Sequence, residues 1–183
     1  MLEHWCWVPH VLKSLSSHWD TKEPISDDLI AKLIKTKNIN SSISTSRQLV
    51  FSTYDMAIHC PESHEAMEAL DLATEWNRRR AEVGGVKGPE SIGYDLNWSQ
   101  GFNNVGHYIG GYDAGYYGYM YSEVFSADMY YTAFKANPLN GEQGRRYRHT
   151  VLEKGGTRPE MELLKEFLGR EPTPDAFFEE LGL

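Results

Sequence analysis

Along most of this chain the apolar residues recur at helical rather than strand spacing. Leu29, Ile30, Leu33 and Ile34 follow Ser26, Asp27 and Asp28. That order reads as an N-cap, an acidic first turn that complements the helix dipole, and an amphipathic face, so a helix is predicted over about residues 27–37. Leu49, Val50, Phe51, Tyr54, Ala57 and Ile58 predict a second helix running to His59. It stops before Pro61, because proline disfavours helical backbone at the residue preceding it. A third is predicted over about residues 62–80, acidic early and ending on Arg78, Arg79 and Arg80.

Periodicity is lost over residues 83–106, where Gly84, Gly85, Gly88, Pro89, Gly93, Gly101 and Gly106 punctuate a polar and aromatic stretch. This predicts a long loop, of a length that in compact domains is functional or disordered. A helical pattern resumes over about residues 112–134 and is broken over 137–141. Pro159 opens a helix over residues 160–168 that Gly169 closes, and Thr173, Pro174 and Asp175 open another that Gly182 ends. No run alternates at period two over a useful length, so the predicted fold class is all-α, with residues 1–183 forming one helical domain.

Charge and composition narrow the function classes. With 26 acidic against 18 basic residues, a net charge of -8 leaves no electrostatic footprint for nucleic acid or an anionic membrane surface. No segment approaches the roughly 18 apolar residues of a membrane span. The first eight residues lack the basic and apolar parts of a secretory leader, so a soluble, cytoplasmic protein is expected. Cys6 and Cys60 lie far apart with no CxxC pairing, consistent with reduced, idle thiols. The unusual feature is aromatic: 11 Tyr and 5 Trp, with the tyrosines concentrated between residues 108 and 131.

Residues 106–119 combine glycines with hydrogen-bond donors. If a helix begins near Tyr112, then Tyr112, Tyr116 and Tyr119 stand at i, i+4 and i+7 and share a face. Aromatic stripes at this spacing commonly pack into a core. Here, however, every ring carries a hydroxyl that needs a partner once buried. Gly110 and Gly111 would lie just before the helix, where free backbone N–H groups favour an anion or a peptide carbonyl. A phenol with a reference pKa of about 10 donates at neutral pH without being charged, and His107 offers a second donor. Such donors suit acyl transfer, in which a tetrahedral intermediate places charge on the former carbonyl oxygen. They supply no nucleophile.

The string Gly-Gly-Tyr-Asp-Ala-Gly-Tyr-Tyr-Gly-Tyr at 110–119 resembles the Gly- and Tyr-rich substrate loop and helix of the thimet oligopeptidase, neurolysin and saccharolysin family. The resemblance extends over essentially the whole chain: Met1 to Trp7, Arg47-Gln48-Leu49, Asp55 to His59, Ser122 to Met129, Tyr147-Arg148, Gly155-Gly156, Phe167 to Pro172, and Asp175-Ala176-Phe177. It implies the helical C-terminal portion of a catalytic domain in which a zinc-bound water attacks a bond of a short peptide. On the matching residues, His107 and Tyr119 would hydrogen-bond the carbonyl oxygen, with Tyr116 assisting or holding substrate. Gly110, Gly111 and Tyr112 would form the flexible wall that closes over the peptide backbone.

The zinc ligands of that family are not found here. Zinc hydrolysis takes three protein ligands, an open position and a general base, commonly from HExxH on a helix and a downstream Glu. His64-Glu65 is followed by Glu68 where a second His would be needed, and it reads as a solvated helix face. In the family the ligands lie upstream of the segment matched by Met1-Leu2-Glu3, and Glu3 matches a glutamate beyond the third ligand. His4, His10, His18, His59 and His149 have no ligand spacing. No metal site or cofactor is therefore expected in this chain, although the full-length family uses zinc. Residues 41–46, Ser-Ser-Ile-Ser-Thr-Ser, stand where the family tends to be apolar. This predicts changed helix packing or a face exposed to water.

Two readings follow. In one, the chain is a C-terminal fragment or homologue of a zinc metallo-oligopeptidase that contributes oxyanion and substrate contacts, is not a peptidase alone, and works with a complementary chain or by self-association. In the other, a metal-independent binding protein or non-hydrolytic small-molecule catalyst reuses the His/Tyr-lined cavity.

Overall fold

The computed structural model describes residues 1–183 and contains helices and turns with no strand. Nine α-helices follow in order: α1 (Pro9–Leu15), α2 (Asp27–Lys35), α3 (Ser41–His59), α4 (His64–Glu68), α5 (Leu72–Glu82), α6 (Gly118–Ala133), α7 (Gly141–Tyr147), α8 (Glu160–Leu168) and α9 (Asp175–Leu181). Short 3₁₀ turns occupy Leu2–Trp7, Pro89–Ile92, Gly101–Asn104, Gly106–Ile109 and Gly155–Thr157, and a π-helical turn covers Arg148–Leu152.

The punctuation read from sequence holds at several ends. The Ser26 side chain accepts from the Leu29 N–H, and Gly169 and Gly182 close α8 and α9 with left-handed φ of 73° and 80°. Two predicted helices are corrected. The one expected over residues 62–80 is two helices, because the Asp71 side chain accepts from the Ala73 and Thr74 N–H groups and starts α5 afresh. The one expected from Tyr112 begins only at Gly118. Ala114, at φ 55°, lies in the left-handed region, which a right-handed helix cannot include.

The chain forms two compact units. One comprises Asn40–Tyr121 and the other Met1–Ile39 with Ser122–Leu183. In the Asn40–Tyr121 unit, α3 packs on α5. Their facing residues Val50, Tyr54 and Trp76 are buried together with Tyr108 and Tyr116, flanked by half-buried Phe51 and Phe102. The fully buried Tyr54 donates its hydroxyl to the Leu72 carbonyl at 3.2 Å, so a ring in the core leaves no polar atom unmet. Buried Asn77 on α5 donates to the carbonyls of Leu96 and Trp98 at 2.7 and 2.9 Å, fastening the long glycine-rich loop to the helix. Residues 41–46 form the first turns of α3, with Ser42, Ile43 and Ser44 exposed.

The other unit is centred on Phe134 and Phe167, with Met129, Tyr130, Leu164 and Leu168. Buried Asp128 of α6 receives the Arg170 guanidinium at 2.5 and 2.8 Å and the Thr173 N–H at 2.8 Å. This bidentate pair joins α6 to the α8–α9 connection. His4 lies 3.0 Å from Glu180 and 2.9 Å from the Ser126 hydroxyl, while its ring stacks on Tyr130.

Candidate active site

The site lies in the Asn40–Tyr121 unit, on the segment between the Gly106–Ile109 turn and the start of α6. A segment rich in glycine and interrupted by left-handed residues would be mobile unless something held it. The holder is Asp55 of α3. Its side chain is fully buried and accepts the backbone N–H of Ala114 at 3.2 Å and of Tyr116 at 2.9 Å. The same carboxylate stands 2.9 Å from Nδ1 of His59, one helical turn along. One side chain thus satisfies the backbone that the left-handed turn at Ala114 would otherwise leave unpaired.

This anchoring brings the predicted donors together. The His107 ring lies 5.4 Å from Tyr112, 5.3 Å from Tyr116 and 5.8 Å from Tyr119, centroid to centroid, edge-on to each. Tyr112 stacks on Tyr119 at 5.3 Å, and Tyr116 lies 5.1 Å from Tyr119. The phenols gather as the spacing suggested, but a turn followed by a helix assembles them, and Tyr112 stands outside α6.

The three tyrosines are not equivalent. Tyr116 is buried, and its hydroxyl donates to the Gln48 side chain of α3 at 3.0 Å. Burial raises its pKa above the ordinary value, a push that the Gln48 hydrogen bond and the Arg47 charge only partly offset. Its proton is therefore engaged inside the protein. Tyr119 and Tyr112 are exposed, at 40% and 45%. The hydrogen bond that Tyr119 shares with Tyr112, followed by burial, raises the Tyr119 pKa, so the group is a neutral O–H at pH 7. His107 is exposed; its carbonyl accepts the Gly110 and Tyr112 N–H groups, but its ring makes only ring contacts, which leaves its nitrogens available to a ligand.

Gly110 and Gly111 lie exposed between His107 and Tyr112. Gly111 takes φ 90° with nothing within 4 Å of where a Cβ would stand, so the requirement there is conformational rather than steric. Tyr108, between the donors in sequence, turns the other way. It is buried and donates to the Phe51 carbonyl at 3.3 Å, and burial, with Asp55 nearby, drives its pKa well above the usual phenol range.

No group of three or more His, Cys, Asp or Glu side chains is placed to hold a metal ion. His64 pairs with Glu68 at 3.3 Å on an exposed helix face. The functional residues that the donor pattern does not reveal are Asp55 and Gln48. The sequence signal for Asp55 was a carboxylate set among apolar residues on a helix face, four positions before a histidine.

Comparison with known proteins places the chain in a family. The description "Peptidase family M3" matches residues 1–183. Saccharolysin of Saccharomyces cerevisiae is 42% identical over 184 residues, covering 100% of this chain and 25% of the relative. Oligopeptidase A of Haemophilus influenzae is 31% identical over 183 residues, covering 100% of this chain and 26% of its own length. A protein described as probable cytosolic oligopeptidase A of Arabidopsis thaliana is 30% identical, again over 100% of this chain and 25% of the relative. The chain thus spans about a quarter of the length of these relatives. No helix is long and apolar enough to cross a membrane. With a family description matched from the first residue to the last, and relatives at 30–42% identity along it, the chain belongs to peptidase family M3, whose full-length members depend on zinc.

Proposed function

We propose that this chain contributes the carbonyl-binding wall of a metallo-oligopeptidase that hydrolyses short peptides inside the cell. The observation that carries this reading is the convergence of His107, Tyr112, Tyr116 and Tyr119 on a loop tethered by Asp55. His107 and Tyr119 donate to the oxygen of the peptide carbonyl as it gains negative charge. Tyr119 does so by turning its O–H from Tyr112 toward the ligand. Tyr116, fixed through Gln48, supports the His107 ring from the protein side. Gly110, Gly111 and Tyr112 form the wall that lies along the peptide backbone.

These residues offer zinc no ligand set, and their contribution is confined to donor contacts and to holding substrate. The zinc ligands and the general base come from sequence outside residues 1–183, on the same polypeptide or on a complementary one.

A quenched-fluorescent peptide assay tests this. With zinc added, the chain alone should show no chelator-sensitive cleavage. Mixed with a polypeptide carrying the HExxH portion of a family relative, it should gain cleavage, and Tyr119→Phe should lower kcat by about 10²- to 10³-fold, the usual effect of losing one oxyanion donor. Chelator-sensitive cleavage by the chain alone, or an unchanged kcat in Tyr119→Phe, would refute the proposal. Metal-independent binding of a small carbonyl compound by the chain alone, abolished in Tyr119→Phe, would favour reuse of the same donors without hydrolysis.

A further inference from the structure

Behind the donor cluster, His107 and Tyr116 share the wall of a cavity of about 550 Å³ within the Asn40–Tyr121 unit. Its remaining lining is mostly apolar, with Phe51 and Trp76 the largest faces, their rings 5.7 Å apart and stacked. Two cations also line it, Arg47 of α3 and Arg80 at the end of α5. In a chain of net charge -8, two guanidinium groups without a carboxylate call for explanation. Arg78 and Arg79, the two residues before Arg80, both pair with Glu75, yet Arg80 makes no ion pair. Arg47 likewise has no carboxylate and lies over the Phe51 ring at 5.1 Å, a contact that holds its charge at the apolar wall.

Trp76 contributes to this wall through its ring. It is 4% exposed, and its Nε1–H is buried without an acceptor. The nitrogen lies against Gly101, also on the cavity wall, where a Cβ would come within 2.5 Å of it.

We propose that this cavity binds an apolar residue bearing a free carboxylate, namely the C-terminal residue of a short peptide. Its side chain packs on Phe51 and Trp76, and its carboxylate pairs with Arg47 and Arg80. Guanidinium recognises carboxylate through paired N–H donors, and the apolar walls favour an aromatic or branched aliphatic side chain over a charged one. The volume accommodates one large residue together with part of the next. The assignment to a peptide rests on the function proposed above, whereas the carboxylate chemistry does not.

Isothermal titration of the whole chain with three probes separates these points: acetyl-Ala-Ala-Phe with a free carboxylate, the same peptide as its C-terminal amide, and 3-phenylpropionate. The acid should bind at least about tenfold more tightly than the amide, as expected for a hydrogen-bonded charge pair. Arg47→Gln and Arg80→Gln should each remove most of that preference while leaving the amide's affinity unchanged, and Lys135→Gln, which removes a charge from the other unit, should alter neither. Equal affinity for acid and amide, or full preference retained in both arginine variants, overturns the pocket. No binding of any probe up to 10 mM overturns it as well, including the case in which a complementary polypeptide is what covers these walls. If 3-phenylpropionate binds as tightly as the peptide acid, the carboxylate pocket stands and the peptide assignment falls. These outcomes do not depend on cleavage, so they are independent of the Tyr119→Phe result.

Discussion

Replacing Asp55 with alanine removes the one α3 side chain that holds the backbone of the donor loop, leaving only the Tyr108 and Tyr116 hydroxyls to tie the loop to that helix. The substitution strands the Ala114 and Tyr116 N–H groups, which lie 3.2 and 2.9 Å from the carboxylate, whereas His59 Nδ1 keeps the Asp55 backbone carbonyl at 3.0 Å. A buried donor left unmet costs roughly 1–3 kcal/mol. The Tyr116 N–H is buried and bears the full cost, while that of Ala114 is half-buried and water recovers part of it. A loss of about 2–4 kcal/mol follows from these two donors. Asp55→Asn keeps the volume and one acceptor oxygen but points an amide N–H at a backbone N–H, so it should cost about half as much. Urea unfolding followed by tryptophan fluorescence gives the total, and hydrogen exchange read by mass spectrometry localises it. Exchange should accelerate over residues 106–117 and change least in the Phe134–Phe167 core. An Asp55→Ala protein within about 0.5 kcal/mol of the native one, with unaltered exchange over that segment, would refute the tether.

Other substitutions probe separate parts of the structure. Ala114→Gly relieves a left-handed residue at φ 55° and should be neutral or stabilising by up to about 1 kcal/mol in the same urea titration. Phe167→Ala empties the centre of the second core at a fully buried position and should cost about 3–5 kcal/mol. Asp128 yields a pH prediction. Burial pushes its carboxyl up, but the Arg170 guanidinium and the Thr173 N–H more than offset this and hold it below its ordinary 3.8. A carboxyl depressed in the folded state contributes stability that is complete above its unfolded pKa and lost as pH falls through the folded one. The stability difference between the native chain and Arg170→Gln should therefore be largest at neutral pH and shrink below about pH 4, as followed by thermal melts across that range.

The helices that the sequence made legible are those whose ends are set locally. Ser26, Pro61, Gly169 and Gly182 act on their own turn of backbone, and α2, α8, α9 and the end of α3 fall where these residues put them. The break at Asp71 was also local, but a run of acidic and basic residues arranged to suit one helix dipole masked it. The start of α6 could not be read in this way. Asp55 lies 61 positions before Tyr116, and their hydrogen bond helps keep the segment out of helix. The aromatic spacing located the right tyrosines, since residues that share a helix face are also close in a tight turn. It did not show which hydroxyl was committed, because the Gln48 partner of Tyr116 is 68 positions away.

The long glycine-rich loop, with Gly101 set against the indole of Trp76, carries a consequence for sequence variation. A methyl group at 101 would have to occupy space 2.5 Å from the indole nitrogen, and the indole is wedged between Phe51 and Tyr54 and cannot retreat. In a saturation library position 101 should behave as an interior site, rejecting even alanine. Gly93, in the same loop, has nothing within 4 Å of where a Cβ would stand and a φ of 87°; it should reject substitution only to the extent that backbone geometry demands, tolerating asparagine far better than valine. Two glycines of one loop would thus carry different substitution spectra, one written by its neighbour and the other by its own torsion angle.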